Sequence, residues 1–103
     1  MANSTVTKRA LAKALKELMA EKPFSRISVS EIAEKCSINR KSFYYHFSDK
    51  YALIDWIFES EFIEKVRKNG NYLRFDFSDD LFGYLYENKD FYRKVIRLDE
   101  SGA

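Results

Sequence analysis

Residues 37–50 read SINRKSFYYHFSDK, and the order of residue types in that stretch decides the fold. An asparagine precedes two basic residues, then come four aromatics and the sole histidine. Asn39 is a strong N-cap, so a helix is expected over residues 40–47. At about 100° per residue, Phe43 and Phe47 point together to one side, while Lys41 and Tyr45 point nearly opposite. Arg40 and Tyr44 flank one edge of that outward face, Ser42 and His46 the other. The face carries hydrogen-bond donors and no carboxylate. A surface meant only for water would ordinarily mix in acids, as the preceding segment does with Glu31 and Glu34. Phosphates and base edges are the partners such a face suits.

Upstream, Ser28 followed three residues later by Glu31 reads as a capping box, so a helix starts near Val29. Its core side is Val29, Ile32, Ala33 and Cys36. Residues 37–39 then form a short turn, and Ile38 with Phe43 makes a hydrophobic staple. A longer first helix is expected over residues 7–21. Leu11, Ala14, Leu15, Leu18 and Met19 form its apolar stripe, and Pro23 ends it. Two short helices joined by a three-residue turn and braced by a longer one make a helix-turn-helix layout.

Downstream, Ser48 is expected to cap a fourth helix over residues 49–68. Its apolar positions cover more than one stripe, which suits a connector buried on two sides. The sequence Asn69-Gly70-Asn71 should stop it. Ser78 is expected to cap a fifth helix, with Asp79 and Asp80 complementing its dipole. A break at Asn88-Lys89 should precede a sixth, in which Phe91, Val95 and Leu98 keep helical spacing. No strand alternation, repeat or low-complexity tract is present. The expected fold is all-α. Residues 1–50 are expected to form a helix-turn-helix domain suited to DNA, and residues 51–103 the connecting helix and the helices that follow it.

Composition bounds the function. The chain has 103 residues, 46% hydrophobic and 33% charged, which suits one globular domain or one with part of a second. Three glycines and one proline favour helices. A single cysteine excludes an internal disulfide framework and argues against a zinc site. Apolar runs are too short to span a membrane, and no secretory signal opens the sequence, so a reducing cytoplasm is the expected location. Residues 1–50 hold ten Lys and Arg against five Asp and Glu, whereas residues 51–103 hold eight against eleven. The basic half is the candidate for a polyanion.

Individual roles follow from chemistry. Arg40 can fork onto guanine O6 and N7, Lys41 can reach base edges or phosphate, and Tyr45 can meet a thymine methyl. Tyr44 is better placed for a phosphate oxygen. Ser28 with the first amides of its helix, and Lys50 opening the fourth helix, are anion candidates. Lys8 and Arg9 are further phosphate candidates.

Over residues 7–57 the chain resembles the TetR family of bacterial transcriptional regulators. The resemblance rests on ISVSEIAEKCSINRKSFYYHFSDKYALI, and above all on Phe43, Tyr44, Tyr45, His46, Phe47 and Lys50. It implies a homodimer that places two helix-turn-helix units in successive major grooves of a near-palindromic operator. It also implies phosphate contacts from Ser28, Ser42, Tyr44, His46 and Lys50, and a C-terminal helical domain that binds a small-molecule effector and dimerises. The stretches FYYHFSDKYALIDWIF and DDLFGYLYENKDFYRKVI are similar to the subgroup of dihydroxyacetone-kinase operon activators. Members run to roughly twice this length, so the chain is expected to hold only the first part of the second domain. Two positions depart from the pattern: Ser37 replaces the usual glycine of the turn, and Lys41 replaces a small residue, which alters the expected base preference.

Other features have plainer explanations. Cys36 falls on an apolar face and reads as a small core residue. The aromatics between Tyr72 and Tyr92 read as core, although a ligand pocket or self-association patch is an alternative. The cluster of Glu59, Glu61 and Glu64 reads as an exposed helix face. No cofactor, metal or enzymatic motif appears. The competing function is a helical protein-interaction module gripping a partner through Tyr44, Tyr45 and the aromatic back half.

Overall fold

The computed structural model describes residues 2–68 and 78–96. Among them the regular elements are α1 (Ala2–Met19), a 3-10 turn (Phe24–Arg26), α2 (Val29–Lys35), α3 (Arg40–His46), α4 (Lys50–Lys68), α5 (Ser78–Glu87) and α6 (Lys89–Ile96). No strand occurs among the described residues.

The apolar stripe of α1 is buried as its spacing predicts: Leu11, Ala14, Leu15, Leu18 and Met19 all enter the core. The helix begins five residues earlier than expected. Residues 2–6 contain no glycine or proline, and Val6 there is exposed, so backbone pairing rather than burial extends this turn. At the other end the chain tightens before Pro23. The amides of Glu21 (2.9 Å) and Lys22 (3.0 Å) both donate to the Leu18 carbonyl.

α1, α2 and α3 pack against one another, and α4 closes over α1. Phe24, Ile27, Ile32, Ala33, Phe43, Phe47, Leu53, Ile54 and Ile57 complete one continuous core with the α1 stripe. A fully enclosed ring such as Phe43 contributes about 2–3 kcal/mol by leaving water.

The cap of α4 differs from expectation by one residue. Asp49 Oδ1 accepts from the Ala52 amide at 2.8 Å, so Asp49 caps the helix and Ser48 does not. The helix buries two sides, as a connector should. Leu53, Ile54 and Ile57 enter the core beside α1, while Phe58 and Phe62 stack on each other and meet Tyr84 of α5.

α5 takes Ser78 as its first helical residue, with Asp79 and Asp80 in the first turn and Asp80 buried. The break before α6 falls at Asn88, whose side-chain amide donates to the Tyr84 carbonyl at 3.0 Å. Phe91 and Val95 of α6 pack on the core, and α6 also touches the 3-10 turn. The expected stop at residues 69–71, the aromatics at 72–77 and Leu98 lie outside the described residues. Among the described residues no helix is long and apolar enough to cross a membrane.

Candidate nucleic-acid interface

The interface is built on α3, and short-range bonds at both ends fix how that helix is presented. Ser28 opens α2 with a complete capping box. Its Oγ accepts from the Glu31 amide at 3.1 Å, and Glu31 Oε1 accepts from the Ser28 amide at 2.9 Å. α2 ends in a Schellman motif: the Ser37 amide donates to the Glu34 carbonyl and the Ile38 amide to the Ala33 carbonyl, each at 3.0 Å. This closure requires a left-handed residue, and Ser37 supplies it with φ of 63°. Ile38 then packs on the core, and Asn39 Oδ1 starts α3 by accepting from the Ser42 amide at 2.7 Å.

α3 faces the way its spacing predicts. Phe43 is 0% and Phe47 7% exposed, whereas Tyr45 is 84% and Tyr44 45% exposed. Arg40 and Lys41 are exposed, and Ser42 and His46 are half-buried on the edges. The Arg40 guanidinium lies 5.5 Å from the centre of the Tyr44 ring, and Tyr45 meets His46 edge-on at 5.1 Å. Tyr44 in turn leans edge-on against buried Phe43. Arg40 and Tyr44 are thus held against their neighbours, whereas Tyr45 stands clear of the helix with one edge contact to His46.

The remaining candidates come from other elements. Half-buried Lys8 of α1 places its ammonium 5.8 Å from the Phe47 ring, beside the C-terminal end of α3. Exposed Arg9 lines an open groove of about 840 Å³ between α1 and α4, opposite Trp56 and Glu64. Ser28 is exposed, with its oxygen already accepting inside the capping box and its hydroxyl hydrogen left to donate. The Glu31 carboxylate also binds Lys22 at 2.6 Å. That hydrogen bond, then the one from the Ser28 amide, holds Glu31 below its usual value. A carboxylate thus occupies part of the anion site expected at the start of α2.

Lys50 has a structural task that the sequence does not announce. Its ammonium donates to the carbonyls of Phe24 (2.6 Å) and Ile27 (2.9 Å) and sits 4.3 Å from the centre of the Phe24 ring. Desolvation lowers its pKa, opposed by the nearby charge of Glu31. Two of its three N–H groups are thereby committed to pinning the start of α4 to the loop before α2.

Two further expectations meet the structure. Cys36 is half-buried against the core, its Sγ lies 3.5 Å from the Ile32 carbonyl, and burial pushes the thiol up. Glu61 corrects the reading of the α4 acids as a solvated face. It is half-buried, accepts from Lys16 of α1 on one oxygen, and accepts from the Tyr84 hydroxyl at 2.7 Å on the other. A sequence signal existed, because Glu61 continues the Leu53–Ile57 row at four-residue spacing. Among the described residues no group of His, Cys, Asp and Glu is arranged to hold a metal ion.

Residues 11–57 match the family described as bacterial regulatory proteins, tetR family. The chain is 36% identical over 104 aligned residues to the HTH-type dhaKLM operon transcriptional activator DhaS of Lactococcus lactis subsp. lactis (strain IL1403), a match covering 98% of this chain and 54% of that protein. It also superimposes on a solved structure titled dihydroxyacetone kinase operon activator DhaS, with a TM-score of 0.69 and 35% identity. That match covers 93% of this chain and 55% of the other. The chain spans about half the length of the relatives it matches.

Proposed function

This chain belongs to the tetR family of bacterial regulatory proteins, and from that membership and the geometry of α3 we propose that it binds double-stranded DNA sequence-specifically as a transcriptional regulator. The observation that carries the proposal is the acid-free face of α3, held outward by Phe43 and Phe47. A helix fits the major groove, and this one would enter with Arg40, Lys41 and Tyr45 toward base edges. Tyr44, Ser42 and His46 on its edges, with Lys8, Arg9 and Ser28 from α1 and α2, would meet phosphates and set the register. Lys50 acts mainly by holding α4 on the loop before α2, with one N–H left for a phosphate.

In this reading residues 1–50 are the DNA-binding unit, and residues 51–103 link it to a C-terminal effector and dimerisation region. A full-length homodimer in the cytoplasm would span two half-sites and answer to a small-molecule effector. The names of the matched relatives make activation of a dihydroxyacetone kinase operon the first regulatory role to examine. The exposed side chains of Phe82, Tyr86 and Ile96 support the second reading, a protein-interaction module.

Binding to duplexes selected from random DNA, measured across salt concentrations, separates the two. The proposal predicts that log K falls with log salt by about 0.9 for each phosphate neutralised, giving a steep line. A flat line, or no binding by the full-length dimer, supports the protein-interaction module instead.

A further inference from the structure

Outside the α3 surface, a chain of polar side chains crosses four helices. The Tyr92 hydroxyl of α6 bonds the Tyr84 hydroxyl of α5, and Tyr84 donates to Glu61 Oε1 of α4. Lys16 of α1 donates to Glu61 Oε2. With the single Tyr84 hydrogen committed to the carboxylate, Tyr92 must be the donor in the phenol pair. All the donors therefore point toward Glu61. Burial, then the bonds to Tyr92 and Glu61, raise the Tyr84 phenol well above its usual range. Burial also raises Tyr92, against the lowering effect of its bond to Tyr84 and with the Glu61 charge adding to the rise, so the two hydroxyls keep their hydrogens. Phe58 and Phe62 wall the chain on one side, and Phe91 lies 5.4 Å from the Lys16 ammonium. Lys94 adds a further tie from α6, at 3.4 Å from the Met19 carbonyl.

The chain lies at a mechanically useful place. Glu61 is one turn along α4 from Ile57, which is sealed in the core. Neighbouring Trp56 packs edge-on against Phe47, at 6.3 Å, and Phe47 caps the C-terminal end of α3. Through Ile57 and Trp56, α4 thus connects Glu61 to the ring that anchors the outward face of α3. We propose that Glu61 is a positioning residue for DNA recognition. By gripping Lys16 and Tyr84 together, it sets α4 against α1 and α5, and so sets how Phe47 presents α3. The inference rests on the DNA-binding reading for its consequence and on Trp56 for an independent test.

Trp56 is the sole tryptophan and touches Phe47, so its fluorescence reports the α3–α4 junction without DNA. Because it also lines the groove with Lys16 and Glu61, Tyr84→Phe, which leaves both charges in place, is the deciding variant for emission. The variants are Glu61→Gln, which keeps the shape but removes the charge, Lys16→Met, their double mutant, and Tyr84→Phe, which removes one hydroxyl. Circular dichroism first establishes which variants retain the helices. Glu61→Gln and Lys16→Met should each shift Trp56 emission in the folded protein, and the double mutant should shift it no further than one of them. Affinity for the preferred duplex should fall roughly 2–30-fold, with affinity for scrambled duplex unchanged. If Glu61→Gln does not fold, Tyr84→Phe decides by the same two readouts. Unchanged emission in the folded variants overturns the inference, as does equal loss on preferred and scrambled DNA. If the full-length parent protein binds no DNA, the DNA-binding reading fails and the emission measurements alone decide whether Glu61 positions α3.

Discussion

Ser37 holds a φ of 63° because the closing bonds of α2 demand it, and serine carries a Cβ into a region that glycine enters freely. The strain is tolerated because the Ser37 and Ile38 amides both find carbonyls and Ile38 reaches the core. Ser37→Gly should therefore raise stability by about 1 kcal/mol, seen as a higher urea midpoint at unchanged slope. A lower midpoint would show that the serine side chain contributes something the backbone geometry does not reveal. Lys50 makes a contrasting point. Its role in pinning two carbonyls needs partners more than twenty residues away, and a local reading of the chain has no access to those.

At the scale of elements, the caps were the most legible feature, because each is a bond between a side chain and an amide three residues on. Ser28 and Asn39 open α2 and α3 as their spacing predicts. The start of α4 was harder, since Ser48 and Asp49 are adjacent and both are competent caps, and it is Asp49 that accepts from the Ala52 amide. The extension of α1 to Ala2 was illegible because residues 2–6 carry no apolar periodicity. The α2 capping box also has a pH signature. Glu31 is held below its ordinary value by Lys22 and by the Ser28 amide, so its contribution is present above the unfolded carboxylate value. That contribution is lost as pH falls through the lower folded value. Glu31→Gln should flatten this limb of an acid-unfolding profile, and an unaltered profile would mean the ionised carboxylate does not stabilise α2.

For the whole molecule, the all-helical class and the outward face of α3 were readable from periodicity, since burial of Phe43 and Phe47 leaves the opposite side no choice. The assembly of the back half was not, because Lys16, Glu61, Tyr84 and Tyr92 meet only after four helices pack. The molecule thus presents a donor-rich rod at one site and braces it from another. Backbone amide shifts, followed by NMR while a selected duplex is titrated in, test that division most directly. The largest changes should fall on residues 40–46 with flanking signals at Lys8 and Ser28, and α5 should stay still apart from small shifts near Tyr84. Changes concentrated on Phe82 and Tyr86, with α3 silent, would contradict the account.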